Sequence, residues 1–149
     1  MKLPYPPSSE AGNCPFCAIA QYSEHEFIIA HNTYAILIRD GYPVTPGHSL
    51  IIPKRHVGSY FDITDGEKQC LQELLELAKA QLDSAYQPSD YNIGINDGPA
   101  AGQTVPHCHI HLIPRYEPDS PHGEDGGDPR GGVRWVVPGK ADYWSDHKR

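Results

Sequence analysis

Residues 107 to 113 read His-Cys-His-Ile-His-Leu-Ile, so that imidazoles alternate with apolar side chains. Successive residues of a β-strand point to opposite faces of a sheet. As a strand, this stretch would place Cys108, Ile110 and Leu112 towards a core and all three histidines on the other face. Stability does not require three imidazoles in a row, whereas concentrated titratable groups are typical of catalytic or metal sites. The three histidines, called the triad below, are His107, His109 and His111.

Four further segments have the apolar, turn-bounded pattern of strands. The first two are expected to pair across a turn at Asn32-Thr33, and the fourth is expected to pair with the triad strand across a glycine-rich loop. The four predicted strands span residues 26–31, 34–39, 49–53 and 91–96.

Residues 64–86 predict the one long helix of the chain. Thr64 and Glu67 have the spacing of a capping box at its start. Apolar residues at helical spacing form a single stripe, which predicts packing against a sheet: Leu71, Leu74, Leu75, Ala78 and Leu82. The chain is therefore predicted to be an α+β domain, with an antiparallel sheet of about five strands and the main helix on one face.

Composition narrows the class of protein further. A chain of 149 residues fits one domain. Its net charge of −7 argues against a general nucleic-acid binder, which usually carries a basic excess. No apolar run is long enough for a membrane helix, and the first residues lack an apolar signal core, so we expect a cytoplasmic protein that does not enter a membrane. In that compartment the four cysteines are expected to be thiols or metal ligands.

The alternation in the triad resembles the signature of the histidine-triad (HIT) family of nucleotide hydrolases and transferases. Residues 46–56 (Pro-Gly-His-Ser-Leu-Ile-Ile-Pro-Lys-Arg-His) resemble the family's upstream block. Asn96-Asp97-Gly98, followed by residues 102–107, resembles the approach to the triad. The resemblance covers about residues 12–116. It implies an HIT-like fold with the same α+β architecture, a shorter N-terminal helix, and usually a homodimer.

Composition and resemblance together divide the chain into three parts. Residues 1–12 are rich in proline and serine and predict an irregular arm. Residues 13–116 form the predicted HIT domain. Residues 117–149 begin with a loop rich in Asp, Glu, Gly and Pro, expected over 117–132. The tail then carries aromatic residues expected to pack on the domain or on a dimer partner: Trp135, Tyr143 and Trp144.

Neutral imidazole is a nucleophile near pH 7, because its reference pKa is about 6.5. It can attack phosphorus and leave again, which allows a two-step displacement through a covalent phosphoramidate. The resemblance assigns this attack, on the α-phosphorus of a nucleotide, to His109. It assigns stabilisation of the developing charge to His111 and His48. A nucleoside monophosphate would be released.

The resemblance also implies a set of substrate-binding residues. Asp40, eight residues before His48, matches the acidic residue that holds ribose hydroxyls, although an Asp in a loop is more often only solvated. The positions expected to contact the phosphates or the leaving group are Asn96, Gly102, Gln103 and Thr104. Glycine at position 102 would let the backbone approach a phosphate closely.

Cys14 and Cys17 have the spacing of two ligands to one metal ion. Zinc-containing members of the family complete the tetrahedron with two histidines, which here are His56 and His107. A four-ligand zinc without an open position is structural, and would fix the backbone beside His109. The alternatives are a reduced pair without metal and a thioredoxin-like redox motif, around which no βαβ pattern is present.

The substrate remains open between a dinucleoside polyphosphate, such as diadenosine tetraphosphate, and an adenosine 5'-phosphoramidate. The stretch 130–135 resembles the tails of bacterial members, which favours the polyphosphate. The arginines that could hold distal phosphates, or be exposed charges, are Arg115, Arg130 and Arg134.

Two other classes of function compete with a hydrolase. One is a zinc-stabilised nucleotide-binding module with little turnover, which would form no covalent nucleotidyl-enzyme. The other is a hydrolytic metal site that uses all three triad histidines and keeps an open position, and it would lose activity on chelation. A histidine at the third triad position fits the hydrolases, since branches that transfer nucleotides to sugar phosphates tend to carry Gln there.

Overall fold

The computed structural model describes residues 13–117 and 129–145. The sheet consists of β1 (Ala30–His31), β2 (Ala35–Arg39), β3 (Ser49–Pro53), β4 (Asp90–Gly94) and β5 (Ile110–Arg115). All neighbouring strands are antiparallel, in the order β1-β2-β3-β5-β4. The α+β prediction with a five-stranded sheet is therefore confirmed. β5, which carries His111, lies inside the sheet between β3 and β4.

The helix α2 (Asp65–Ala85) covers one face of the sheet. Thr64 and Glu67 form the predicted capping box. The Thr64 N–H donates to the Glu67 carboxylate at 2.9 Å, and the Glu67 N–H donates to the Thr64 hydroxyl at 3.1 Å. The helix buries most of its apolar stripe against β2, β3 and β5. The cluster includes Leu37, Ile51, Leu71, Leu74, Ala78, Leu82, Cys108, Ile110 and Leu112. The apolar partners of the triad therefore face this core, as predicted.

A short helix, α1 (Pro15–Ala20), packs on the opposite face of the sheet, which confirms the expected N-terminal helix. Cys14 caps it by accepting a hydrogen bond from the Cys17 N–H at 3.4 Å. Pro15 fits the first turn because it has no N–H to leave unpaired. The core on this side contains Phe16, Ile19, Ile36, Ile38, Leu50, Ile52 and Val105.

Several strands begin or end away from their predicted bounds. The first predicted strand, 26–31, shortens to Ala30–His31, and the fourth, 91–96, becomes Asp90–Gly94. The triad strand begins only at Ile110 rather than at residue 107. The backbone just before it bonds elsewhere: the His107 N–H donates to the Val105 carbonyl, and the Cys108 N–H donates to the Val57 carbonyl at 2.7 Å.

The C-terminal segment 129–145 forms two short 3-10 turns, Gly132–Val136 and Pro138–Lys140. Gly132 lies beside Asn92 of β4, where an added Cβ would be 3.5 Å from the amide nitrogen. The predicted arm 1–12 and most of the predicted loop 117–132 lie outside the described residues. Within the described part of the chain, no helix is long and apolar enough to cross a membrane.

Candidate active site and metal centre

The histidines assigned to catalysis meet because β3 pairs with β5. His48 immediately precedes β3, and His111 lies on β5 opposite Leu50. The His48 Nε2 and His111 Nδ1 atoms are 2.9 Å apart, and the rings of His109 and His111 are 5.0 Å apart between centroids. His48 and His109 are buried, whereas His111 is half-buried. The structure therefore brings the three residues together at the sheet surface.

The tautomer of His109 follows from one contact with the backbone. Its Nδ1 lies 2.8 Å from the carbonyl oxygen of His107. A carbonyl only accepts hydrogen bonds, so Nδ1 carries the hydrogen and Nε2 keeps the lone pair. Burial lowers the pKa of His109 to about 4, although the bond to the His107 carbonyl opposes the shift. The edge-on ring of Phe16, 5.0 Å away between centroids, packs against the imidazole and fixes its orientation.

A second backbone group sets the tautomers of His48 and His111. The Val44 N–H donates to His48 Nδ1 at 3.1 Å, so the hydrogen of neutral His48 is on Nε2. His48 Nε2–H then donates to His111 Nδ1. The remaining nitrogen of His111, Nε2, must therefore carry its hydrogen. The Val44 N–H thus fixes the tautomer of His48, and through it that of His111. His111 therefore presents a hydrogen-bond donor, its Nε2–H, at the site.

Asp40 lies against this pair. One carboxylate oxygen, Oδ2, is 3.4 Å from His48 Nε2 and 3.9 Å from His111 Nδ1, and the other accepts the Tyr42 N–H at 2.7 Å. The Asp40 side chain is only 9% exposed. Burial lowers the pKa of both histidines, and the Asp40 carboxylate opposes that shift. The contact between Asp40 and the two histidines was not predicted from the sequence.

The four predicted metal ligands form one cluster. The ligand atoms of Cys14, Cys17, His56 and His107 all lie within 4.8 Å of one another. His107 Nδ1 is 3.3 Å from the Cys14 sulfur, and His56 Nδ1 is 3.2 Å from the Cys17 sulfur. Two thiols and two imidazoles are a donor set typical of tetrahedral zinc.

The far side of His107 also fits a metal ligand. Its Nε2 lies 2.7 Å from the Pro53 carbonyl oxygen and must donate to it, so the lone pair is on Nδ1, which faces the sulfurs. Metal-bound histidines usually make such an outer hydrogen bond. The residues present therefore fit a metal ion. His107 also joins the two sites, because its carbonyl oxygen orients His109.

The predicted phosphate-binding residues lie on the loop that leads to the triad, and one of them braces that loop. The Gln103 side chain accepts the Gly98 N–H at 2.8 Å and donates to the Gly58 carbonyl at 2.9 Å and the Val105 carbonyl at 3.1 Å. Gly102 has a φ of 91°, and a Cβ there would meet no protein atom within 4 Å. Its backbone angle requires glycine, and the space beside it is open. Thr104 is exposed and Asn96 is half-buried.

The candidate arginines have contacts of their own. Arg134 donates to the carbonyls of Lys140 and Ala141 and stacks on the Tyr143 ring. Arg115 donates to the Asn92 side chain at 2.6 Å, and Arg130 stacks on the Trp144 ring. Arg134 therefore links the two 3-10 turns of the C-terminal segment, a role that the sequence did not indicate.

Three groups at the site were missed because they belong to the backbone: the Val44 N–H and the carbonyls of Pro53 and His107. Every residue type presents the same amide, so no sequence signal marks them. The role of Phe16 had a weak signal, since it lies between the two metal-ligand cysteines at the start of a buried helix.

Comparisons with known proteins point to one family. A family model described as HIT domain matches residues 22–118. A 16.1 kDa HIT-like protein of Mycoplasma pneumoniae is 35% identical over 70% of this chain and 73% of its own length. An AP-4-A phosphorylase of Mycobacterium tuberculosis is 32% identical over 77% of this chain and 60% of its own. The asymmetrical bis(5'-nucleosyl)-tetraphosphatase of Schizosaccharomyces pombe is 43% identical over 52% of this chain and 42% of its own.

Solved structures show the same fold. A HIT family protein from Bacillus anthracis superposes with a TM-score of 0.67 at 32% identity, covering 72% of this chain and 77% of its own. A Zn-bound histidine triad family protein from Mycobacterium smegmatis has a TM-score of 0.64 at 32% identity, covering 78% of this chain and 88% of its own.

Proposed function

The chain belongs to the HIT domain family, and on that premise we propose that it hydrolyses a dinucleoside polyphosphate, such as diadenosine tetraphosphate, through a covalent nucleotidyl-His109. The observation that carries the proposal is the hydrogen bond from His109 Nδ1 to the His107 carbonyl, which leaves Nε2 as the nucleophile. The choice of substrate is supported by the relatives named as an AP-4-A phosphorylase and a tetraphosphatase.

In the first step His109 Nε2 attacks the α-phosphorus and a P–N bond forms. The P–O bond to the leaving phosphate breaks, the leaving oxygen keeps the electron pair, and the His111 Nε2–H donates a hydrogen bond to that oxygen. The His107 carbonyl stabilises the positive imidazole of the intermediate through the Nδ1 hydrogen bond. In the second step water attacks phosphorus, the P–N bond breaks with its electron pair returning to His109 Nε2, and one proton of the water is released to the solvent. The first step releases the remaining nucleoside polyphosphate, and the second releases a nucleoside monophosphate and regenerates the enzyme.

We assign phosphate binding to the loop before the triad. Gly102 leaves room for a close approach of the backbone, and Asn96 and Thr104 offer polar side chains. Gln103 contributes first by holding this loop against Gly58. A direct contact between Gln103 and the substrate would require it to exchange one of its bonds within the loop.

We further propose that Cys14, Cys17, His56 and His107 hold a structural zinc ion. The donor set, the outer bond of His107 to Pro53 and the Zn-bound relative support this assignment. Zinc bound by four protein ligands would have no open position, so it would supply support rather than chemistry. Its effect on catalysis would act through the backbone of His107.

The proposal is tested by replacing the nucleophile. His109→Ala should lower the rate of AMP release from diadenosine tetraphosphate by several orders of magnitude, because no other group is assigned to form the P–N bond. His31→Ala, at an exposed position on β1, is the matched control and should keep the wild-type rate. Mass spectrometry of wild type quenched during turnover should show a nucleotidyl adduct on His109.

Two alternatives give different results in the same assay. A phosphoramidate hydrolase would release AMP faster from an adenosine phosphoramidate than from the tetraphosphate, with the same dependence on His109. A binding module would bind nucleotide without forming an adduct. A folded His109→Ala variant that keeps most of the wild-type rate would contradict the assignment of the nucleophile.

A further inference from the structure

We propose that Asp97 is a positioning residue whose carboxylate holds the loop before the triad in the shape that binds phosphates. This inference rests on the proposed function, which assigns phosphate binding to that loop. Asp97 stands at the start of the loop, and His107 follows its end. The loop is bound to residues 56–60, a segment that runs from the predicted metal ligand His56 to the start of the 3-10 turn Tyr60–Asp62.

Two hydrogen bonds join segment 56–60 to the part of the chain nearer the triad. The Val57 carbonyl accepts the Cys108 N–H at 2.7 Å, and the Gly58 carbonyl accepts the Gln103 side-chain amide at 2.9 Å. Neither bond involves the carboxylate at the start of the loop. We therefore expect this end of the loop to stay in place when that carboxylate is replaced.

Asp97 makes the contact at the other end of the loop. Its Oδ2 accepts the Ser59 hydroxyl at 2.9 Å, and its Oδ1 accepts the Tyr60 N–H at 2.7 Å. Hydrogen bonds to a charged acceptor are stronger than those between neutral groups. The next residue, Gly98, has a φ of 98°, so the chain turns directly after this contact. The carboxylate therefore fixes the point from which the loop departs.

The loop folds around a group next to Asp97. The N–H groups of Ala101 and Gln103 both donate to the Gly98 carbonyl, at 3.0 and 3.1 Å. Because Gly98 directly follows Asp97, a displacement of the carboxylate would move the acceptor of these two bonds. The exposed Thr104, which the proposed function assigns to the phosphates, follows Gln103 and would move with it.

The charge of Asp97 argues against a direct contact with the phosphates. A carboxylate at the start of a phosphate-binding loop repels the ligand, so its charge by itself weakens binding. The two bonds to segment 56–60 act in the opposite direction, by holding the loop in place. A cation between the carboxylate and the phosphates would remove the repulsion. In the described part of the chain, however, the side-chain clusters able to hold a cation do not include Asp97.

The test compares two replacements of Asp97 with a control. Asp97→Ala removes both hydrogen bonds. Asp97→Asn keeps both in neutral form, since its oxygen accepts the Tyr60 N–H and its amide donates to the Ser59 oxygen. Asp62→Ala is the control, because it makes the same change of residue and charge at an exposed position on the adjacent 3-10 turn. A Tm measurement on each variant confirms that it is folded.

Steady-state kinetics give the first readout. On diadenosine tetraphosphate, Asp97→Ala should raise KM by about tenfold while kcat stays within about threefold, because the loop binds phosphates and His109 performs the chemistry. Asp97→Asn should stay within about threefold of wild type in KM, since neutral hydrogen bonds replace charged ones. Asp62→Ala should match wild type.

Two kinetic outcomes would overturn the proposal. If the carboxylate acted only through its charge, its removal would reduce the repulsion and Asp97→Ala would lower KM. If the charge rather than the hydrogen bonds were required, Asp97→Asn would raise KM as much as Asp97→Ala does.

Binding without turnover separates the phosphates from the nucleoside. In a shared His109→Ala background, calorimetry with ATP reports on nucleoside and phosphates together, whereas adenosine reports on the nucleoside alone. Asp97→Ala should weaken ATP binding by about tenfold and leave adenosine binding within about twofold. A merely structural defect would weaken both ligands equally, and that result, or an unchanged affinity for ATP, would overturn the proposal.

Ser59→Ala provides the test if Asp97→Ala does not fold. It removes one of the two bonds and should weaken ATP binding by about threefold, with adenosine unchanged. An unchanged affinity for ATP in this variant would then overturn the proposal.

The same measurements distinguish this inference from the proposed function. If wild type releases no AMP from diadenosine tetraphosphate, the proposed hydrolysis fails while the ratio of ATP to adenosine affinity still decides the role of Asp97. If ATP binds no more tightly than adenosine in the His109→Ala parent, the loop does not hold phosphates and the inference is overturned with that assignment.

Discussion

At the scale of single residues, Gly47 shows how tightly the chain is constrained next to the candidate active site. It precedes His48 and has a φ of 87°, a conformation that residues with a Cβ rarely adopt. An added Cβ would lie 2.7 Å from Leu82 of α2, so the position is restricted in space as well as in angle. Its glycine therefore lets the loop approach the helix and turn His48 towards the triad.

We predict that Gly47→Ala destabilises the fold by about 1–3 kcal/mol, because both the strained φ and the contact with Leu82 oppose a methyl group. Urea denaturation of both proteins measures the difference. Gly139→Ala is the matched control, since a Cβ there meets no atom within 4 Å and no positive φ is involved. Equal stability of Gly47→Ala and the control would show that the loop can move away from α2 without loss.

The sequence predicted which side chains would lie close together, but not the backbone and loop groups that they contact. The triad pattern indicated which histidines share a face, and the Cys14-to-Cys17 spacing indicated a metal site. The contact of Asp40 with His48 and His111 depends on how the loop after β2 folds back, which no local pattern records. The tautomers depend on backbone groups that are the same for every residue type.

At the scale of secondary structure, the start of α2 joins a capping box to an ion pair. Glu67 is buried, accepts the Thr64 N–H, and receives two hydrogen bonds from Arg55 at 2.8 and 3.2 Å. The hydrogen bonds from Arg55 are the largest cause of the lowered pKa of Glu67. A carboxylate whose pKa is lower in the folded protein stabilises the fold above its unfolded pKa. That stability is lost as the pH falls through the folded pKa.

We therefore predict that Glu67→Gln is less stable than wild type at pH 7 by roughly 1–2 kcal/mol, the cost of weakening hydrogen bonds to a buried charge. The difference should shrink as the pH falls below about 4, where wild type also loses the charge. Urea denaturation at neutral and acid pH measures both effects. Glu73→Gln, at an exposed position on the same helix, should follow wild type at each pH. A difference that does not change with pH would show that the charge of Glu67 contributes nothing.

The elements themselves differ in how well the sequence defines them. The predicted helix 64–86 agrees with the observed Asp65–Ala85 because its caps and its apolar stripe are local features. The ends of a strand depend on the strand it pairs with, and the observed bounds of three strands therefore differ from the predicted ones. The triad stretch enters the sheet only at Ile110, because the Cys108 N–H bonds to Val57 before the ladder with β3 begins.

At the scale of the whole molecule, the metal cluster connects distant parts of the chain. Cys14 and His107 are separated by 93 positions, and closing so large a loop restricts the unfolded chain more than a short link would. We predict one zinc per chain in purified protein. Its loss by chelation or by Cys17→Ser should lower Tm by on the order of 10 °C.

Metal analysis and calorimetry of the same samples measure that effect. Cys70→Ser, which alters a half-buried thiol on α2, should keep both the zinc and the Tm. A wild-type protein that is free of metal and unaffected by chelation would refute the assignment. Activity lost on chelation and restored by several different metals, without a change in Tm, would instead favour an open catalytic metal site.

The placement of β5 has a consequence for how the protein is made. It is the last of the described strands to be synthesised, yet it fills the gap between β3 and β4, which were made earlier. It also follows directly on His107 and His109, so the proposed nucleophile and a proposed metal ligand emerge just before it. A nascent chain that stalls before this point lacks both a continuous sheet and the proposed nucleophile. The proposed nucleophile therefore reaches its place only when the insertion of β5 closes the sheet.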